Sequence, residues 1–205
     1  MSIGVIDIGI GNLGSLRNAL YSQGWDTQPV RTPDEFNEIS HLILPGVGSF
    51  ATAMQRLSQS RLLEAIRDFA ASGRPILGIC LGMQLLAEFG SEGGETEGLG
   101  LVPGRVVPLA VSDLRLPHVG WNNAHQSRKH PVLDGIRDDV DFYFVHSYRF
   151  VAADTSAVIA QTEYGETFPS IVGKSNVIGT QFHPEKSQAN GLRLLDNFCI
   201  WDGTC

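Results

Sequence analysis

Short apolar runs alternate with amphipathic segments in the first half of the chain. The runs are rich in β-branched residues, which is typical of strands buried on both faces: Ile3 to Ile8, His41 to Leu44 and Pro75 to Ile79. The segments after them have helical spacing and predict three helices: one capped by Asn12 and running to about Gln23, then Phe50 to Ala71 and Gly82 to Phe89. This alternation predicts a mostly parallel sheet with helices on both faces.

The second half of the chain has a different pattern. Turn residues separate five strand-like segments: Val102 to Leu109, Phe142 to His146, Ala157 to Gln161, Ser170 to Val172 and Val177 to Gln181. They predict additional mixed or antiparallel strands, and Asn190 to Trp201 predicts a closing helix. Because the sequence contains no linker or internal repeat, we expect a single α/β domain over residues 1–205, built on an open, mostly parallel sheet.

The composition of the chain excludes several classes of protein function. The 205 residues carry 15 basic and 22 acidic side chains, a formal charge of −7, without a basic cluster, which argues against binding to nucleic acid or an anionic membrane. No apolar run approaches the roughly 18 residues of a membrane span, and the N-terminus lacks the pattern of a signal peptide. Three scattered cysteines are too few for a disulfide framework, so we expect a cytoplasmic protein.

A possible nucleophile lies between the third predicted strand and the third helix. Gly78-Ile79-Cys80-Leu81-Gly82 has the form of a nucleophile elbow, with cysteine at the position of the nucleophile. The glycines have a physical reason, since side chains two residues before and after a sharp turn would collide. The turn would bring the Cys80 sulfur to a helix N-terminus, where the dipole favours the thiolate. A buried structural cysteine between packing glycines is the alternative interpretation.

A candidate base follows the last predicted strand. His183 and Glu185 are two residues apart, so both can face one side of an extended segment, where Glu185 would orient the imidazole. A loop histidine beside a solvated glutamate is the simpler alternative. We expect no metal, because the P-C-x-x-C partner that accompanies H-x-E in zinc deaminases is absent.

Four further segments have motifs whose function the sequence leaves open. Gly9 to Gly14 spells G-x-G-x-x-G in the context of a dinucleotide site, but the acid that reads the ribose is not clearly present, and a tight turn or a close protein contact is an alternative. The turn Pro45 to Ser49 could offer backbone N–H groups to an oxyanion. His118 and His146, in two aromatic segments, are interpreted as structural or surface groups rather than bases.

Taken together, these motifs resemble the class I (triad) glutamine amidotransferases, and the similarity runs nearly end to end. Within that class the chain resembles the glutaminase subunits of imidazole glycerol phosphate synthases. The segments that carry the resemblance are Asp7 to Leu13, Leu44 to Gly48, Gly78 to Gln84, Gly100 to Gly104, Pro117 to Asn122, Tyr143 to Tyr148 and Gln181 to Ser187.

The resemblance implies a set of site residues and no cofactor. It implies that Cys80 attacks the side-chain amide of glutamine, that His183 transfers the protons and that Glu185 orients His183. By the same resemblance, the oxyanion donors and glutamine contacts correspond to Val47, Gly48, Leu81, Gln84, Glu92, Ser147 and Tyr148.

The resemblance also implies a partner, a (β/α)₈-barrel cyclase that receives the ammonia and makes imidazole glycerol phosphate and aminoimidazole carboxamide ribotide in histidine biosynthesis. The family's contacts with that partner correspond to Asn12, Trp121, Tyr143 and Lys186. Two other hypotheses stay open from the sequence: a stand-alone cysteine hydrolase with a similar elbow, and a nucleotide-binding or interaction module that uses Gly9 to Gly14.

Overall fold

The computed structural model describes residues 2–11 and 13–204. The strands are β1 Ile3–Ile6, β2 Thr27–Val30, β3 His41–Gly46, β4 Ile76–Cys80, β5 Phe89–Gly90, β6 Thr96–Glu97, β7 Gly104–Pro108, β8 His118–Gln126, β9 Val140–His146, β10 Tyr148–Ala152, β11 Val158–Tyr164, β12 Glu166–Lys174 and β13 Val177–Thr180. The α-helices are α1 Leu13–Ser22, α2 Phe50–Gln59, α3 Leu62–Ala71, α4 Leu81–Leu85 and α5 Gln188–Ile200, and short 3₁₀-helices span Pro33–Glu38, Pro131–Leu133, Thr155–Ala157 and Pro184–Lys186.

Nine strands form the large sheet in the order β2-β1-β3-β4-β13-β12-β11-β8-β9. The five strands from β2 to β13 in that order are parallel, and the strands beyond β13 pair antiparallel. A smaller sheet has the order β10-β7-β5-β6. The predicted α/β class, with a parallel first half and added antiparallel strands in the second half, is confirmed.

The core lies on both faces of the large sheet, because successive side chains of a strand point to opposite sides. Leu77 and Ile79 of β4 pack with α1 and α5, whereas Ile76 packs with α2, α3 and α4 on the other face. Each fully buried side chain of this size contributes roughly 1.5–3 kcal/mol, so burial on both faces stabilises the parallel strands. Across the described residues, no helix combines the length and the apolar character that crossing a membrane requires.

The prediction of a single helix over Phe50 to Ala71 is wrong, because the chain forms two helices there, α2 and α3, with a break between them. Arg61 adopts the left-handed conformation, with φ of 60°. Just before it, the Ser60 hydroxyl donates to the Arg56 carbonyl at 2.9 Å and so competes with continuation of the helix. Apolar spacing continues across the break, which is why the pattern alone does not reveal it.

The helix predicted over Gly82 to Phe89 is also too long. Helix α4 ends at Leu85, and Phe89 and Gly90 form β5 in the smaller sheet. The carbonyl of Leu85 accepts from Leu99 N at 2.9 Å, and that of Leu86 accepts from Leu101 N at 2.9 Å. A distant loop therefore takes the carbonyl groups that a longer helix would have used.

Candidate functional site

The carboxyl ends of three neighbouring parallel strands converge on one cleft. Strand β4 lies between β3 and β13, with Gly46 opposite Cys80 and Ile79 opposite Thr180. The segments after these strands therefore meet at one edge of the sheet, which is where α/β proteins bind ligands. The cleft has a volume of about 320 Å³, and both Cys80 and His183 line it.

Cys80 ends β4 in a strained conformation. Its φ is 54° and its ψ is −109°, and α4 begins at the next residue. A Cβ added at Gly78 would lie 2.6 Å from the carbonyl oxygen of Gly82, and one added at Gly82 would lie 1.7 Å from that of Leu44. Both glycines are required by the close approach of backbone, as the sequence predicted for an elbow.

The thiol of Cys80 faces the cleft wall formed by β9 and by the segment after β13. Its Sγ lies 3.6 Å from the carbonyl oxygen of Val145 and 3.9 Å from Nε2 of Gln181. The other described free cysteine, Cys199, is fully buried in α5, and burial raises the pKa of its thiol to about 12. Cys205 lies outside the described residues.

His183 is held in the cleft by its backbone. Its N–H donates to the Tyr143 carbonyl at 2.9 Å, and its own carbonyl accepts from the Ser187 hydroxyl at 2.6 Å. Nδ1 of the imidazole lies 2.8 Å from Oε1 of Glu185, whose side chain is only 6 % exposed. The pair meets as predicted, but not on an extended segment, because Pro184–Lys186 form a 3₁₀-helix.

The surroundings of His183 favour its protonated form. Burial by itself would lower the pKa, but hydrogen bonding and electrostatic attraction to Cys80 and Glu185 outweigh it and raise the pKa of His183 to about 9. At neutral pH the imidazole is therefore charged and has a proton to give. The charged imidazole interacts electrostatically with Cys80 as well as with Glu185.

The residues predicted to contact substrate line the same cleft. The structure brings together Val47, Gly48, Leu81, Gln84, Glu92, Ser147 and Tyr148. Gly48 has a φ of 104°, and the space that a Cβ would take there is open. Pro117, Val145 and His146 also line the cleft. The sequence did not predict contact of these three residues with substrate, because their proximity depends on how the second-half strands pair.

Gln84 and Glu92 each have a protein partner in addition to their place in the cleft. The amide nitrogen of Gln84 donates to the Tyr148 carbonyl and to Oε1 of Gln181, both at 3.1 Å, so only its oxygen is left for a ligand. Oε2 of Glu92 accepts from Phe50 N at 2.8 Å, at the start of α2. The Glu92 side chain thus forms part of the cleft wall and also accepts a hydrogen bond from a helix N-terminus.

Three of the residues predicted to contact a partner form one surface beside the cleft. Trp121 and Tyr143 are opposite each other in the β8–β9 register, and their ring centroids are 5.9 Å apart. Lys186 Nζ lies 5.9 Å from the centre of the Tyr143 ring. Trp121 is 48 % exposed and Val119, on the same face of β8, is 55 % exposed. Asn12, the fourth predicted contact, lies outside the described residues.

A small cavity of about 20 Å³ lies beside His183 and Lys186. Gly11, Val47, Glu185 and Lys186 are among the residues that line it, together with His183. A cavity of this size holds about one water molecule. The glycine turn after β1 is therefore separated from His183 by a space about as wide as one water molecule.

A side chain of α2 also stabilises the turn after β1. Nη1 of Arg56 donates to the carbonyl oxygens of Ile8 and Gly9, at 3.0 Å each. Gly9 and Gly11 both have positive φ, of 72° and 117°. The glycines of the G-x-G-x-x-G pattern therefore allow a tight turn that a guanidinium supports.

Comparisons with known proteins agree on one family. Residues 4–201 match the family model described as glutamine amidotransferase class-I. The chain is 48% identical over 200 residues to the protein named imidazole glycerol phosphate synthase subunit HisH from Desulfitobacterium hafniense, covering 97% of this chain and 94% of that protein. It is 46% identical over 200 residues to the protein of the same name from Sulfurimonas denitrificans, covering 96% of each.

Solved structures share the fold at low sequence identity. A crystal structure of a glutamine amidotransferase superimposes with a TM-score of 0.78 at 22% identity, over 98% of this chain and 99% of that one. The structure of PurLQS from Thermotoga maritima gives a TM-score of 0.77 at 19% identity, over 97% of each chain.

Proposed function

We propose that this chain, which belongs to the class I glutamine amidotransferase family, hydrolyses glutamine through a Cys80 thioester and passes the ammonia to a cyclase subunit. Within the family it belongs to the glutaminase subunits of imidazole glycerol phosphate synthases, which act in histidine biosynthesis. The observation that carries this proposal is that His183 lines the same cleft as the strained Cys80 while its Nδ1 lies 2.8 Å from Oε1 of Glu185.

The first half-reaction forms the thioester. The Cys80 thiolate attacks the side-chain amide carbon of glutamine, and the developing oxyanion is stabilised by backbone N–H groups of Leu81 and of Val47 or Gly48. His183, protonated at neutral pH because its pKa is raised to about 9, gives its proton to the leaving nitrogen. The carbon–nitrogen bond breaks and one molecule of ammonia is released.

The second half-reaction restores the enzyme. Neutral His183 takes a proton from water, the resulting hydroxide attacks the thioester carbon, and the carbon–sulfur bond breaks to give the free carboxylic acid and the Cys80 thiolate. The acid then loses its proton to water and leaves as glutamate. Glu185 holds the imidazole in one orientation through both steps. The acid Glu92 and the backbone of Ser147 and Tyr148 are the proposed partners of the ammonium and carboxylate groups of glutamine.

We assign the surface of Val119, Trp121, Tyr143 and Lys186 to the contact with a (β/α)₈-barrel cyclase. We propose that ammonia leaves His183 through the small cavity that His183, Glu185 and Lys186 line, and so reaches that surface without entering bulk water. Sequestration matters chemically, because in water near pH 7 most ammonia becomes ammonium, which is a poor nucleophile. Asn12 as a contact and a cytoplasmic location stay predictions from the sequence.

Glutaminase activity with and without the partner tests the proposal. We expect low activity from the isolated chain and at least about a tenfold increase when the cyclase subunit is present and loaded with its ligand, since such coupling between sites is commonly five- to 150-fold. Glutamate release by the purified chain, and by the reconstituted complex, is the measurement. High turnover that is indifferent to the partner would instead support a stand-alone cysteine hydrolase.

Replacing Glu185 by glutamine is expected to move the alkaline limb of kcat/KM to lower pH. Protonated His183 is the general acid, and its raised pKa keeps the proton in place up to about pH 9. Glu185 contributes to that rise, so Glu185→Gln lowers the pKa and the proton is lost earlier as pH increases. We also expect kcat to fall about 10²-fold, within the usual range for acid–base catalysis.

The pH profile of glutamate release by the complex is the measurement for this variant. Glu163→Gln is the matched control, because it removes the same charge from an exposed side chain outside the cleft, and its profile should equal that of the unmodified protein. If the alkaline limb of the Glu185→Gln profile were unchanged, Glu185 would have no part in setting the pKa of His183, and its proposed role would be wrong.

A further inference from the structure

Two buried histidines beside the cleft have no part in the proposed chemistry. His118 in β8 and His146 in β9 are opposite each other in the antiparallel register. Nδ1 of His118 lies 2.9 Å from Nε2 of His146, and Nδ1 of His146 lies 2.9 Å from the carbonyl oxygen of Tyr148. Because His146 and Tyr148 both line the cleft, the pair connects β8 to the cleft wall.

The neighbours of the two rings determine which nitrogen of each carries a proton. A carbonyl oxygen only accepts, so Nδ1 of His146 is a donor, and Nε2 of the same neutral ring is an acceptor. Nδ1 of His118 must then donate to it, which leaves Nε2 of His118 as an acceptor. That nitrogen lies 3.4 Å from Nδ2 of Asn122, which is a donor. All the hydrogen bonds therefore run in one direction, from Asn122 to Tyr148.

Both rings stay neutral in the folded protein. Burial lowers the pKa of His118 to about 4. Burial likewise lowers the pKa of His146 to about 4, although its hydrogen bond to Tyr148 opposes the shift. At neutral pH each imidazole therefore has one donor and one acceptor, which is what the chain of hydrogen bonds requires.

The carbonyl of Tyr148 receives a second hydrogen bond, from helix α4. Nε2 of Gln84, in α4, donates to it at 3.1 Å, so two donors occupy its two lone pairs. Ser147 alone links β9 of the large sheet to β10 of the small sheet, and its own carbonyl accepts from Leu109 N at 2.9 Å. The orientation of this short backbone segment is thus set by hydrogen bonds from both sheets and from α4.

We infer that His118 and His146 are positioning residues for glutamine, because they hold the Tyr148 carbonyl and with it the Ser147–Tyr148 backbone. The inference rests on the proposed function, which assigns that backbone to glutamine. Neither ring supplies the nucleophile, the proton or the orienting carboxylate. Breaking the pair should therefore weaken glutamine binding and raise KM while kcat changes little.

Two substitutions of His118 separate positioning from packing. His118→Phe keeps an aromatic ring against Tyr164, whose ring centroid is 3.9 Å away, but it removes the hydrogen bond to His146. His118→Asn puts an amide nitrogen near the position of Nδ1 and so keeps a donor, but it removes the ring and its stacking. Packing is retained in one variant and the hydrogen bond in the other.

Steady-state glutamate release by the complex and thermal unfolding of the chain are the two readouts. We expect His118→Phe to raise KM for glutamine about tenfold with kcat within about twofold, since a tenfold change corresponds to about one hydrogen bond. His118→Asn should keep KM within about threefold of the unmodified protein yet have the lower melting temperature. A KM that is unchanged in both variants, or that is higher in His118→Asn, would overturn the inference.

A second measurement needs no variant and no activity. Nitrogen-15 NMR of the histidine rings in the unmodified chain should show His118 and His146 both neutral and both protonated at Nδ1. A proton at Nε2 of either ring would contradict the hydrogen-bond chain. Failure of the proposed function would be recognised separately, because the unmodified complex would then release no glutamate.

Discussion

Replacing Cys80 by alanine is expected to abolish glutamine-dependent synthesis by the complex while leaving ammonia-dependent synthesis intact. The variant lacks the sulfur that attacks the amide, and loss of a nucleophile commonly reduces turnover by about 10⁴-fold or more. Free ammonia bypasses that step, since the proposed function assigns the cyclase chemistry to the other subunit. Product formation from glutamine and from ammonium salt, measured on the same preparation, gives the comparison.

Cys199→Ala is the matched control for this experiment. Cys199 is fully buried in α5 and does not line the cleft. Its replacement should leave both activities within about twofold, with a modest loss of stability from the small cavity. If Cys80→Ala also removed ammonia-dependent synthesis, the proposed division of labour between the two subunits would be wrong.

The Gly82→Ala variant is expected to lose stability by more than about 3 kcal/mol, the upper end of the usual cost of overpacking. The added methyl would lie 1.7 Å from the carbonyl oxygen of Leu44, a backbone atom of β3 that has no flexible side chain to move aside. Either β3 or α4 must shift, and either shift displaces Cys80. Chemical denaturation of the purified chain measures the loss.

Gly24→Ala separates steric overlap from backbone strain. Gly24 has a φ of 86°, and nothing lies within 4 Å of the position that its Cβ would take. Alanine there should cost only about 1 kcal/mol, from the left-handed backbone conformation. Equal losses at Gly24 and Gly82 would mean that the elbow tolerates a side chain, contrary to its geometry here.

The arrangement proposed for Cys80, His183 and Glu185 was predictable because each of its parts leaves a local signal. Two glycines around Cys80 indicate a sharp turn, and the spacing of His183 and Glu185 brings their side chains together even though the segment folds as a 3₁₀-helix. The parallel half of the sheet was predictable for a similar reason. Strands buried on both faces are apolar throughout, so β1, β3 and β4 stand out in the sequence.

The features that the sequence did not reveal depend on pairing between distant segments. The 2.9 Å contact between His118 and His146 requires the β8–β9 register, which joins residues 28 positions apart. Likewise, α4 ends early because residues near Leu99 take its carbonyl groups. Strand β2, with its interior proline at Pro29, lacks the composition that marks its neighbours.

The contact between Glu92 and the start of α2 limits how freely the loop around Glu92 can change. The Glu92 carboxylate lines the cleft and also accepts a hydrogen bond from the first residue of α2, which lies 42 positions earlier in the chain. Exchanging this loop to change which amide substrate the protein prefers would also remove the acceptor of the hydrogen bond from Phe50 N. Substrate selectivity and thermal stability would therefore change together. A library that randomises the loop should therefore keep an acceptor at position 92, or supply a new one from the α2 side.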